Sequence, residues 1–291
     1  MILTTLLAAA FALSTGDVIT SEKNAPSSFD SLEHFHAVNI YGADLQYRNS
    51  AKLYSVPYPL PAAVTTFGDR VLVAEVRDQT TTIVSYDSGG NSRTITTVPA
   101  AVVALRPWGK YIFAGFGSEV GQIDPDTGWL ITTRTVDPTE SVTDLDMDQT
   151  GCTAYVTTTT SVYQVGFCSP TKTRIFQRAN VYPTSVRLLR DGDLLVGAPM
   201  HLFRMSKSGT VRATIDTALD VDIGLCKLAL TPDANSAVAA CGWHLWQVDL
   251  TLNTATVRGI MHDSAAPTGI SIRGEWRGFE TPPRTRTSRP H

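Results

Sequence analysis

Six short frames recur along this chain at intervals of 37 to 43 residues, each placing an apolar or aromatic residue just before a polar turn. Their anchors are Tyr47, Tyr86, Ile123, Val165, Met205 and Val248. A period near 40 leaves few options. Each unit is too small to bury its own apolar face, so the units must pack against one another. The content of a unit is clearest between Leu225 and Val257, where four short apolar runs alternate with turns such as Thr231-Pro232-Asp233. Elsewhere the anchors lead into Asp87-Ser88-Gly89-Gly90-Asn91, Asp124-Pro125-Asp126-Thr127-Gly128 and Ser206-Lys207-Ser208-Gly209. These residues accept positive φ or bond back to the turn. Two further runs precede each of the last five anchors. They are Ala63–Phe67 with Val71–Ala74, Val102–Leu105 with Tyr111–Ala114, Val142–Met147 with Ala154–Thr157, Val186–Leu189 with Leu194–Gly197, and Leu228–Leu230 with Val238–Ala240. Five complete four-stranded units therefore lie between Pro59 and His262.

The two ends complete the pattern. Ala37–Tyr41, Asp44–Tyr47 and Lys52–Val56 read as strands two, three and four of a unit, and Pro267–Arg273 reads as a first strand. Together they predict an all-β fold over residues 36–279. It is a six-bladed β-propeller of four-stranded antiparallel blades, closed by three N-terminal strands and one C-terminal strand. Closure removes exposed sheet edges. Seven blades are the alternative if Ser21–Phe35 also holds strands.

Composition agrees with strands. The chain is 43% hydrophobic and only 18% charged, and Thr, Val, Ile and Tyr fill the runs. A net charge of −3 argues against nucleic acid as a partner. Residues 1–16 have the length and small-residue ending of a signal peptide, with an N-terminal strand or helix as the other reading, and are too short to span a bilayer. Residues 17–35 read as a flexible lead-in and 280–291 as a disordered tail with solvated arginines. Four cysteines permit three pairings. Repeat geometry favours Cys152–Cys168 and Cys226–Cys241, each within one blade, with buried free thiols as the alternative. Each bridge would contribute roughly 3 kcal/mol. These features point to a monomer in an extracellular or periplasmic compartment.

The unit Pro183–Val211, with its Pro-x-x-apolar strand and Asp191-Gly192 turn, resembles the NHL and YVTN-type propeller repeats. The unit from Leu225 is similar to blades of secreted bacterial propellers, with Ala234 where those carry Gly. The Gly-His and Trp-Asp signatures of WD repeats are missing. The resemblance implies a fold and leaves activity open. It also brings two enzyme classes into view. Gluconolactonase-like hydrolases hold a divalent metal in the central channel. Here calcium or another divalent ion would fall to Asp144 and Asp146, which share a strand face, with Glu75 nearby. The competing reading pairs Asp144 and Asp146 with Arg187 and Lys227 from neighbouring first strands. A streptogramin-lyase-like site would need a histidine base, for which His201 and His244 are the candidates. Nucleophile and phosphate-loop motifs are lacking. Trp108 and Trp243 lie near loops, where an aromatic residue can anchor a ligand. The sequence thus favours a binding scaffold without a cofactor, its partner a protein, a glycan or a small molecule. A metal-dependent lactone or ester hydrolase is the alternative.

Overall fold

The computed structural model describes residues 13–26, 34–55, 59–217, 225–261 and 266–277. They form strands and turns with no helix. In chain order the first strands are β1 (Val18–Pro26), β2 (His34–Tyr41) and β3 (Tyr47–Ser55). Blade II is β4 (Leu60–Phe67), β5 (Arg70–Arg77), β6 (Thr80–Tyr86) and β7 (Ser92–Val98). Blade III is β8 (Val102–Trp108), β9 (Tyr111–Phe116), β10 (Glu119–Ile123) and β11 (Leu130–Thr135). Blade IV is β12 (Val142–Met147), β13 (Thr153–Thr158), β14 (Ser161–Gly166) and β15 (Lys172–Gln177). Blade V is β16 (Ser185–Leu188), β17 (Leu194–Ala198), β18 (His201–Met205) and β19 (Val211–Asp216). Blade VI is β20 (Cys226–Leu230), β21 (Ser236–Cys241), β22 (His244–Asp249) and β23 (Thr254–Ile260). The last strand, β24 (Ala266–Ile272), pairs with β1 and completes blade I in the order β24-β1-β2-β3. The chain is a six-bladed β-propeller.

Burial follows position in the blade. Every residue of the innermost strands β16 and β20 is buried, whereas the outermost β23 alternates exposed and half-buried. An inner strand has neighbours on both faces; an outer strand has water along its edge. Each pair of adjacent blades shares one apolar cluster. Leu195, Leu202, Leu228 and Trp246 join V to VI. Ile19, Val38, Val71 and Tyr86 join I to II. At roughly 25 cal/mol per Å² of apolar surface removed from water, these six seams supply most of the driving force.

Ring closure uses three N-terminal strands, as the repeat predicts, but one of them lies earlier. The second strand of blade I is β1, in the segment expected to be a flexible lead-in. Ala37–Tyr41 is consequently part of strand three, and the Tyr47 frame opens strand four. The sequence VITSEKNAP hides this strand because Glu22 interrupts its apolar run. Glu22 is fully buried, where its Oε2 accepts from Asn39 Nδ2 at 2.8 Å and its Oε1 from Tyr41 Oη at 2.9 Å and from Thr20. Hydrogen bonds to the charge offset the cost of burying it. The residues given to the tail, 280–291, lie outside those described.

Both expected disulfides form. Cys152–Cys168 ties the β12–β13 turn to the β14–β15 turn. Cys226–Cys241 links directly paired residues of β20 and β21.

Candidate functional site

The six inner strands run in the same sense, and those of blades II, V and VI turn backbone N–H groups toward the preceding blade. An unpaired buried amide is costly. Side chains one blade back supply the acceptors. Asp144 Oδ2 accepts from Val186 N (3.2 Å) and Asp146 Oδ2 from Leu188 N (2.8 Å). Ser185 Oγ accepts from Leu228 N (3.0 Å), Thr184 Oγ1 from Cys226 N (3.1 Å) and Ser271 Oγ from Thr66 N (3.2 Å). In blades IV to VI the partners are 42 or 43 residues apart, one repeat.

Asp144 and Asp146 do share a face, and cations neutralise them. Arg187 Nη1 donates to Asp144 Oδ2 at 2.7 Å, as expected. Asp146 is bound instead by Arg106 Nε at 2.6 Å, from the preceding blade. The Lys227 ammonium bonds Thr143 O at 2.8 Å. Arg106 and Arg187 also grip Glu275, at 2.8 and 3.4 Å. Glu275 follows β24, and its Oε1 accepts from Leu230 N at 2.9 Å. All six residues are at most 6% exposed. Three cations face three carboxylates.

Burial pushes the Asp144 and Glu275 carboxyls up, but the adjacent cations outweigh it and hold both below their ordinary values. Burial likewise works against the Arg106 charge, and Asp146 and Glu275 raise its pKa above the usual guanidinium value. Lys227 goes the other way. Burial depresses its pKa, and Asp144 only partly offsets this. The cavity between Asp144, Arg187 and Lys227 is about 10 Å³, room for a single water.

This donor set does not fit a divalent metal. A hard cation takes six to eight oxygen ligands in the case of calcium. Each oxygen of Asp144 and Asp146 already accepts from a backbone amide, an arginine or a hydroxyl. Three cationic side chains occupy the same space. Glu75 belongs to the second strand of blade II, where it accepts from Tyr86 Oη at 2.5 Å. Among the described residues no three His, Cys, Asp or Glu side chains are grouped to hold a metal.

The remaining candidates disperse. Trp108 packs into the seam between blades III and IV, with the turn at Gly151 against its ring. Trp243 is 46% exposed at the tip of the β21–β22 turn. His201 lies 3.8 Å from Asp216, and His244 packs beside Trp246. Arg106 and Glu275 were not singled out by the sequence. Arg106 opens what reads as a loop, Arg106-Pro107-Trp108-Gly109, and Glu275 lies past the last apolar run. The repeat spacing was the available signal, since Arg106 and Asp146 are 40 residues apart.

Solved structures share this architecture. A chain in a crystal structure of a nidogen/laminin complex superposes with a TM-score of 0.64 at 10% identity, covering 88% of this chain and 98% of that one. A protein of unknown function from Bacteroides caccae gives a TM-score of 0.62 at 12% identity, covering 89% of this chain and 100% of that one. A streptogramin B lyase gives a TM-score of 0.52 at 13% identity, covering 76% and 93%. At these identities the likeness is one of fold. No family model matches the sequence. No curated protein matches it either. The class defined by fold and comparison is the six-bladed β-propeller, the architecture implied by the NHL and YVTN resemblance.

Proposed function

We propose that this chain is a secreted, monomeric, non-catalytic scaffold that binds a protein partner through one end of the ring, at blades V and VI. The observation that carries the reading is where the exposed large apolar side chains lie. Second-to-third-strand turns and blade-to-blade connections share one end of a propeller, because the inner strands are parallel and their neighbours antiparallel. Five of the ten exposed large apolar side chains among the described residues, Tyr182, Met200, Leu225, Trp243 and Ile260, occupy such positions around blades V and VI, each 41–64% exposed, whereas Trp129, Leu130 and Ile131 group on blade III at the other end. Aromatic residues and Met are enriched at protein interfaces.

Two local features support the choice. Met200 has φ +71° at the turn after Pro199, a position that normally takes Gly or Asn. The Cys226–Cys241 bridge ties together the ends of β20 and β21 next to Leu225 and Trp243, so binding would order few side chains there. The two disulfides favour an oxidising compartment. The nidogen/laminin complex contains a chain of this fold in a protein assembly, which supports a protein partner.

The test is partner capture from extracellular fluid by the immobilised chain, repeated with Trp243→Asp, Tyr182→Asp and Trp129→Asp. Loss with the first two and retention with the third, which lies at the opposite end of the ring, is the expected result. Equal retention by all three would remove this face from consideration. Lactone hydrolysis that needs calcium and is lost in Asp144→Asn would overturn the scaffold reading itself.

A further inference from the structure

The Glu275 side chain is held as a ligand would be. It enters the end of the channel opposite the proposed recognition face, carried by the turn after β24 in which Glu275 N bonds Ile272 O at 3.0 Å. Its Oε2 receives Arg106 Nη1 at 2.8 Å, with Ser271 Oγ at 3.5 Å; its Oε1 receives Leu230 N at 2.9 Å, with Arg187 Nε at 3.4 Å. Two guanidinium groups and a backbone amide converging on two oxygens make a carboxylate-binding arrangement. The donors belong to blades III, V and VI, so the receptor is preformed by the ring and does not come from the segment that fills it. Arg106 Nη2 and Arg187 Nε, the latter within ion-pair range of Glu275 only, are buried with no hydrogen-bond partner among the described residues, so the receptor has two donors more than Glu275 uses. A cavity of about 270 Å³, lined by Thr15, Thr66, Arg273 and Arg277 among others, adjoins Glu275 on the outer side and adds positive charge along the approach.

We infer that Arg106, Arg187 and the Leu230 amide form a carboxylate-binding site in the channel, occupied in cis by Glu275, and that short free carboxylates bind there when the Glu275 side chain is removed. The ligand class is a monocarboxylate about the size of the deleted side chain, such as acetate or propionate. The segment Arg273–Arg277 then acts as a built-in plug.

The experiment is chemical rescue. Glu275→Ala is refolded and melted in sodium acetate and in sodium chloride of equal ionic strength. The expected result is a saturable rise in Tm with acetate alone, about 3 °C at tenfold excess over Kd. Arg106→Met in the same background should abolish the rise. Acetate should leave the wild-type chain unchanged, because its site is filled. If Glu275→Ala yields no folded protein in chloride, folded yield becomes the readout. Glu275→Gln, which keeps the shape and the Leu230 contact, supplies a second folded variant that acetate should not rescue. Equal response of Glu275→Ala to acetate and chloride, or a rise that persists without Arg106, would overturn the proposal. This outcome is independent of the recognition face, which is tested by Trp243.

Discussion

Lys227 and Arg106 sit in the same channel with the same charge, yet their removal should have opposite consequences. Arg106 neutralises Asp146 and Glu275 together, so Arg106→Met leaves two buried carboxylates short of a partner. Breaking such a pair from one side costs about 3–5 kcal/mol. Lys227 holds one carbonyl, and Asp144 keeps Arg187 without it. Lys227→Met should therefore be neutral or mildly stabilising in urea unfolding. A loss comparable with that of Arg106→Met would show that Asp144 depends on the ammonium. The same network sets the acid limit. Asp144 and Glu275 have folded-state pKa values below their ordinary 3.8 and 4.5. The unfolded chain takes up those protons first. Their contribution is thus complete above the ordinary values and lost as pH falls through the folded ones. Thermal melts between neutral pH and pH 3 should show this decline, and Glu275→Gln should flatten it. Asp144, Asp146 and Arg187 were legible because charges two apart in an apolar run demand partners on one face. Glu275 was not, because its partners come from three other blades and no local pattern marks the residue that fills a ring from outside the repeat.

At the scale of the element, two turn residues share a positive φ for different reasons. Gly209, at φ +88° in the β18–β19 turn, lies against the Ile175 carbonyl of blade IV, and a Cβ would overlap that oxygen. Gly209→Ala should cost upwards of about 2 kcal/mol, combining the left-handed backbone with displacement of the neighbouring blade. Met200 carries its side chain at φ +71°, a conformation that would suit Gly better. Met200→Gly should leave stability unchanged or raise it by up to about 1 kcal/mol while weakening partner binding. Equilibrium unfolding and capture, measured on the same preparations, separate the two effects. Unchanged binding would reduce Met200 to a tolerated irregularity. The Gly209 turn was readable, because Ser-Lys-Ser-Gly is turn chemistry. The strand β1 was not, since strand patterns assume that charge faces water, and Glu22 is instead satisfied inside its own blade.

The whole molecule depends on where the ring is sealed. In blade I the strand β1 stands between β24 and β2, bonded to both from Val18 onward. It places Ile19 in the seam with blade II and Val18 in the seam with blade VI. Removing it would unpair β24, empty part of two seams and leave an open sheet edge in the middle of a blade. The period near 40 revealed the six-fold closure and its join of three N-terminal strands with one C-terminal strand, because every unit repeats the same four-strand order; it shifted the three N-terminal strands along the chain, because Glu22 masks β1. A chain lacking residues 1–26 tests the placement directly, set against one that starts at Leu13. If 17–35 were a flexible lead-in, the two would melt together. With β1 as an interior strand, the chain from Leu13 should keep the full cooperative transition, while the shorter one should aggregate or melt far lower. Adding a synthetic peptide spanning Asp17–Pro26 should restore part of the lost Tm by strand addition. Coincident melting of the two truncations would mean that blade I closes without β1.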